Sequence, residues 1–287
     1  VDHSQRKRCG YTVSSTLNIK DATTTTFSLI YHDVIEPGAE DRSGFPGADA
    51  AVYKLTVKDF EAHLAEISNR IVPRPHTAAD LLRASAPKSP VLFHFDDGGV
   101  SGYELIADRL EHWGWRGHFH ITTDYIGHDG FMTAEQILNL HQRGHLIGSH
   151  SASHPERIST LSQHELEREW RQSIDRLSEV LGEPCRFAAI PGGFNSSRVV
   201  KAAAKVGVKL VFDSEPWARR RINQDCLVYG RYNIQRNTPA HVAADLATGK
   251  AAPRFRQWAF WNTKKVVKRV GGKYWLKARK SILSWRK

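Results

Sequence analysis

Two neighbouring carboxylates and two histidines four residues apart stand at the ends of two apolar runs in this chain. The first run, PVLFHFDDGG, ends on Asp96 and Asp97 before a pair of glycines that let the backbone turn closely. Adjacent side chains leave the backbone in different directions, so one carboxylate can bind a cation while the other faces a substrate; metal hydrolases separate ligand from base in this way. Alone, an Asp-Asp-Gly turn is an ordinary surface turn. The second run, HLIGSHSASHPERIS, carries His150 and His154 with only Ser151, Ala152 and Ser153 between them. Two imidazoles so spaced converge on one cation if the backbone curls, and small residues permit that. No Glu follows His150, which excludes the HExxH helix of metalloproteases. In a chain with 15 histidines, ordinary surface histidines are the alternative for this segment by itself. Together, Asp97, His150 and His154 offer one oxygen and two nitrogens, leaving positions open for water and a substrate carbonyl.

Such residues must be held by a repeating scaffold, and the chain reads as one. TTTTFSLIYHDV, PVLFHFDD, GHFHITT, HLIGSH, FAAIPGG, KLVFDS and LVYGRYNIQ have the apolar character of strands. KDFEAHLAEIS, YELIADRLEHWG, TAEQILNLHQRG, SQHELEREWRQSIDRLSEVLG and SRVVKAAAKVG have helical spacing. In the longest of these, Ser162 with Glu165 forms a capping box and Gly182 closes the helix. Strand and helix alternate, which predicts a parallel α/β barrel or doubly wound sheet with function at the carboxyl ends of the strands. Both motifs sit at such ends. His94, His118 and His120 lie on the same strands and read as satisfied interior residues rather than further ligands.

Composition bounds the class. With 287 residues and 40% hydrophobic content, the chain can bury a sizeable core, and three cysteines at irregular spacing (Cys9, Cys185, Cys226) read as free thiols. The net charge of +11 is a property of one end: residues 250–287 hold 13 Lys and Arg and no acid, leaving 28 bases against 30 acids before them. A nearly neutral body argues against nucleic acid as a partner. There is no run of 18 apolar residues, and VDHSQRKRCG lacks the apolar core of a signal peptide. The expectation is a cytoplasmic protein or one peripheral on the inner membrane face, for a sequence whose start at Val1 leaves upstream residues open.

The two motifs resemble those of the polysaccharide deacetylase (NodB-like) superfamily, whose first motif reads TFDDG and whose second reads H, Ser or Thr, two residues, H. Here they read HFDDG and HSASH, and the resemblance runs from about Thr26 to about Gly249. It implies a distorted (β/α)7-type barrel in which Asp97, His150 and His154 hold one divalent metal ion, zinc with cobalt or nickel as alternatives, and Asp96 is the catalytic base. The third family motif, RxPY, aligns with Ala189, Ile190, Pro191 and Gly192, so the family's arginine is absent while Pro191 and the oxyanion-binding N–H of Gly192 remain. The fourth, DSxDW, aligns with Asp213, Ser214, Glu215, Pro216 and Trp217: the tryptophan of the sugar pocket is present and the penultimate aspartate is not. Arg231, on GRYNI, is the candidate to replace the missing arginine, with a surface charge as the alternative. The family's late His motif is absent after Trp217, since His241 follows Pro239 in a helical pattern. LIYHDV at the start resembles the permuted arrangement of exopolysaccharide deacetylases of the poly-N-acetylglucosamine type, and that makes His32 the proton donor to the leaving amine.

The implied function is removal of an N-acetyl or N-formyl group from an amino sugar of a polysaccharide, glycan precursor or lipid-linked saccharide. The alternative, raised by Ala189 and Pro216, is a carbohydrate-binding protein that keeps the fold and the metal without turnover. Three segments are expected: a polar lead (1–25), the catalytic domain (26–249) and a basic amphipathic extension (250–287). The extension combines Trp258, Trp261, Trp275 and Trp285 with clustered cations, which suits an anionic membrane surface, a helix packed on the barrel or an acidic polysaccharide.

Overall fold

The computed structural model describes residues 25–71, 75–82, 89–223 and 226–263. The polar lead before Thr25, Cys9 and the tail from Lys264 onward, with Trp275 and Trp285, lie outside them.

Among the described residues there are eleven strands: β1 (Phe27–Tyr31), β2 (Val34–Ile35), β3 (Leu55–Thr56), β4 (Val91–Phe95), β5 (Gly117–Ile121), β6 (Leu146–Ser149), β7 (Phe187–Ala189), β8 (Leu210–Phe212), β9 (Arg221–Asn223), β10 (Cys226–Tyr229) and β11 (Tyr232–Asn233). Nine form one sheet in the order β11-β1-β4-β5-β6-β7-β8-β10-β9, parallel throughout except for β9. The two ends of this row meet along the chain. β10 pairs with β8 and β11 pairs with β1, yet only Gly230 and Arg231 separate them. One stretch, 226–233, therefore closes the ring, giving a seven-membered barrel. The sequence reads LVYGRYNIQ as a single strand; its break at Gly230 has a steric cause. A Cβ there would lie 2.2 Å from the Glu215 carbonyl oxygen and 2.5 Å from that of Trp217, so only glycine admits this approach of the 215–217 loop.

The helices are α1 (Ala48–Ala51), α2 (Val57–Ser68), α3 (Ala107–His112), α4 (Ala134–Gln142), α5 (Gln163–Leu181), α6 (Ser197–Lys205) and α7 (Ala240–Ala247). α5 begins in the Ser162–Glu165 capping box and ends at Gly182 with φ 70°. Its buried positions Leu166, Trp170, Ile174 and Leu177 make one stripe, and the helix packs against β6 and between α4 and α6. A second, smaller core of Leu92, Leu146, Leu210, Phe212, Leu227 and Tyr229 fills the barrel interior. His94, His118 and His120 belong to that interior, fully buried and stacked on one another with centroids 4.5–5.3 Å apart. His118 accepts the Ala78 N–H and contacts the Phe93 carbonyl through Nδ1, tying the 75–82 segment beneath the barrel.

The chain is also helical from 251 to 263, and this part of the basic extension lies against the barrel. Gln257 bonds both the N–H and the carbonyl of Asn233, as an added strand would. Arg254 donates to the Tyr232 hydroxyl and lies over the rings of Phe27 and Tyr232. No described helix is long and apolar enough to cross a membrane.

Candidate active site

Alternation along the strands decides which side chains reach the barrel mouth. His94 faces inward, so Asp96 two residues later does too, just past the end of β4. The β1–β4 register, Tyr31 opposite Phe95, sets His32 level with Asp96. Arg231 faces inward from the seam between β10 and β11.

Asp96 and Asp97 part ways because Asp97 takes a left-handed backbone, φ 77°, that few non-glycine residues adopt. Asp96 turns to Arg231, whose Nη1 and Nη2 donate to Oδ1 at 2.7 Å and to Oδ2 at 2.8 Å. Arg231 is fully buried. Burial would push the Asp96 carboxyl up, but the Arg231 guanidinium holds it well below the usual carboxylate range. Pro216, where the DSxDW motif carries an aspartate, offers no carboxylate, and the Arg231 Nε donates to the Asp213 carbonyl at 3.1 Å. The Asp213 side chain is engaged on the far side, by Asn195 and Arg221.

Asp97 turns to the histidines. Its Oδ1 is 3.5 Å from Nε2 of both His150 and His154, and ligand atoms of the three residues lie within 4.8 Å of one another. Ser151 and His154 are themselves left-handed, at φ 66° and 54°, and this curl brings two imidazoles of one loop to one point. His150 Nδ1 lies 3.0 Å from the Ala189 carbonyl, which fixes the tautomer with Nε2 as the free lone pair. Burial pushes His150 down to about 3 and lowers His154, so both rings are neutral, as ligands must be. Asp97 is a buried carboxylate facing two neutral rings. Burial raises it to about 7. A cation there would remove that penalty, and the donor set of two nitrogens and one oxygen fits zinc or a similar divalent ion.

Several residues that hold this arrangement look unremarkable in the sequence. Glu169 of α5 is buried and accepts from the Ser153 N–H and hydroxyl, pinning the HSASH loop. Asp33 accepts from Ser43 and Ser101 and so fixes the end of β1, and with it His32, to the segment after Asp97. Lys54, also buried, donates to the carbonyls of Glu40, Ser43 and Phe45. That loop carries Phe45 onto the His154 ring, centroids 5.0 Å apart.

His32 stacks on Tyr53 at 4.7 Å, and its Nδ1 is buried with no hydrogen-bond partner among the described residues. The β1–β4 register puts it on the same rim, level with Asp96. Pro191 opens a tight turn in which Gly192 is left-handed, φ 59°, and exposed. The turn's own bonds use the amides of Gly193 and Phe194. Trp217 is nearly half exposed, on the loop that crosses Gly230.

The polysaccharide deacetylase family model matches residues 83–211, which include Asp96, Asp97, His150 and His154 but neither His32 nor Arg231. YxkH of Bacillus subtilis strain 168, provisionally named a polysaccharide deacetylase, is 26% identical over 172 residues, 58% of this chain and 61% of that protein. The chain thus spans under two thirds of that relative's length. Among solved structures, the Streptococcus pyogenes deacetylase PplD in complex with acetate superposes with a TM-score of 0.63 at 18% identity, covering 76% of this chain and 96% of PplD. IcaB from Ammonifex degensii gives 0.63 at 20% identity, covering 78% and 97%. These likenesses show the barrel fold, and over residues 83–211, under half of the chain, the sequence matches the polysaccharide deacetylase family model.

Proposed function

We propose that this protein hydrolyses the N-acetyl group of an amino sugar in a polysaccharide or related glycan, using one divalent ion, zinc by its donor set, held by Asp97, His150 and His154. The observation that carries the reading is the split of two adjacent carboxylates, Asp97 to the histidines and Asp96 to a buried arginine. The same pair supports turnover over binding alone, since Arg231 stands against Asp96 where Ala189 offers no cation; the departure at Pro216 still favours the binding-protein alternative.

An ion so held would polarise the amide carbonyl and acidify a bound water. Asp96, kept ionised and fixed in direction by Arg231, accepts the proton of the attacking water as its oxygen bonds to the carbonyl carbon. The Gly192 N–H, exposed at the barrel mouth, donates to the oxyanion. His32 gives a proton to the nitrogen as the C–N bond breaks, releasing the carboxylate and a free amine. Acetate release from N-acetylglucosamine oligomers, with and without a chelator, tests the reading. Release that a chelator stops and zinc restores is expected; release insensitive to chelation would overturn it.

The general-acid role of His32 has its own test. His32→Ala should keep the fold and bind the ion, yet lose about 10²-fold or more in kcat. His241→Ala, on α7, should change little. Near-normal turnover by the His32 variant would remove the permuted assignment and leave the Asp97 cluster standing.

For the segment after residue 263 we propose contact with an anionic membrane surface, because residues 264–287 hold ten Lys and Arg and no acid. Deleting 264–287 should release the protein from phosphatidylserine-containing vesicles at low salt while acetate release persists. Unchanged vesicle binding by the truncated chain would contradict this.

A further inference from the structure

The helix at 251–263 does more than cover the barrel. Together with the 215–221 segment it lines a shallow pocket of about 100 Å³, open to solvent, whose walls include Trp217, Trp258 and Trp261 with Glu215, Arg221 and Asn262. The pocket adjoins the proposed reaction centre. A Cβ on Gly193 would lie 2.8 Å from Cη2 of Trp261 and 2.9 Å from the Ser214 Cβ, so the indole is seated on the turn that presents Gly192. Trp217 and Trp258 both keep over two fifths of their surface exposed. At the polar edge, Arg221 Nη1 bonds Glu215 Oε2 at 2.9 Å, and the Asn262 amide NH2 is turned to the Trp258 carbonyl.

Three large aromatic faces around an open hollow, rimmed by hydrogen-bonding groups, fit a pyranose: its C–H faces are apolar and its edge hydroxyls need polar partners. Resting on the proposed deacetylation, we infer that the helix at 251–263 supplies a second sugar subsite beside the reaction centre, so that the substrate is an oligo- or polysaccharide of amino sugars rather than a single unit. Trp258 contacts the neighbouring residue of the glycan. Trp261, set on Gly193, joins this subsite to the oxyanion turn.

Two measurements test the subsite. In metal-loaded full-length enzyme, kcat/KM should be at least about 10-fold higher for an N-acetylglucosamine pentamer than for the monosaccharide. Trp258→Ala should bring that ratio toward one, mainly through KM, while Phe260→Ala, on the same helix outside the pocket, should keep it. Binding is measured separately in the Asp96→Asn protein, by tryptophan fluorescence with β-1,4-linked and β-1,6-linked pentamers. At least one pentamer should bind, and adding Trp258→Ala should weaken it about 10-fold. Equal kcat/KM for pentamer and monosaccharide, or pentamer binding indifferent to Trp258, would overturn the subsite. Loss of all turnover with Trp258-dependent pentamer binding intact would instead overturn the deacetylase reading and leave the subsite in place.

Discussion

Arg231→Ala is expected to destabilise the protein by about 3–5 kcal/mol, the scale for stripping a buried charge of its partner. The side chain is fully buried, makes both bonds to Asp96 and is anchored on the Asp213 carbonyl, so its loss strands an ionised carboxylate in the barrel mouth. Turnover should fall at least about 10²-fold even where the protein stays folded, because a base displaced by an ångström loses its geometry. Urea unfolding with chelator present keeps metal linkage out of the comparison. The double variant Asp96→Asn with Arg231→Met should regain stability relative to Arg231→Ala without regaining activity, because no charge is then left unpaired. If Arg231→Ala unfolds at the wild-type midpoint, the pair is not the buried, mutually dependent contact described above.

The second large effect concerns the three clustered side chains. His150→Ala, His154→Ala and Asp97→Ala should each retain less than about a tenth of the wild-type metal, because each removes one of three protein donors. Acetate release should vanish with it. Asp97→Asn makes a finer distinction. It should lose the ion, yet melt at a higher temperature than chelated wild type, because the wild-type protein then buries a carboxylate whose ionised form burial disfavours. Metal analysis and thermal melts of the same preparations check both expectations. Full metal content in all three alanine variants would remove the cluster as the ion site.

How much of this is legible in the sequence depends on how local each feature is. Asp96, Asp97, His150 and His154 stand at the ends of two apolar strands, and the alternation of strands and helices already puts such ends on one rim. The pairing of Asp96 with Arg231 spans 135 residues and exists only because the 226–233 stretch closes the ring. Strand character alone could name Arg231 as a candidate and leave a surface charge open, since nothing local tells an inward arginine from an outward one. The acceptor that orients it is a backbone carbonyl, which no residue type announces. Glu169 was illegible for another reason: within HELEREWRQS it looks like part of a solvated helix face, and only the packed loop reveals that it faces Ser153. Lys54 likewise resembles any surface lysine until three carbonyls surround it.

The extension shows the opposite case. Its charge dominates the composition and points outward to membranes, while the spacing of Trp258 and Trp261, three residues apart and hence on one helical face, is the quieter signal. The helix through 263 lies against the barrel, as the packed-helix alternative for the extension has it, and lines a pocket with the 215–221 segment.

The most direct test of the account compares Asp96→Asn with wild type in one experiment: zinc content per chain, and acetate released from an N-acetylglucosamine pentamer. The amide cannot accept the water's proton, whereas the ligand set is untouched. One zinc per chain in both proteins, with acetate released only by wild type, is the expected result. Loss of the ion on changing Asp96, or acetate release by the Asp96→Asn protein at the wild-type rate, would contradict the division of labour between the two aspartates.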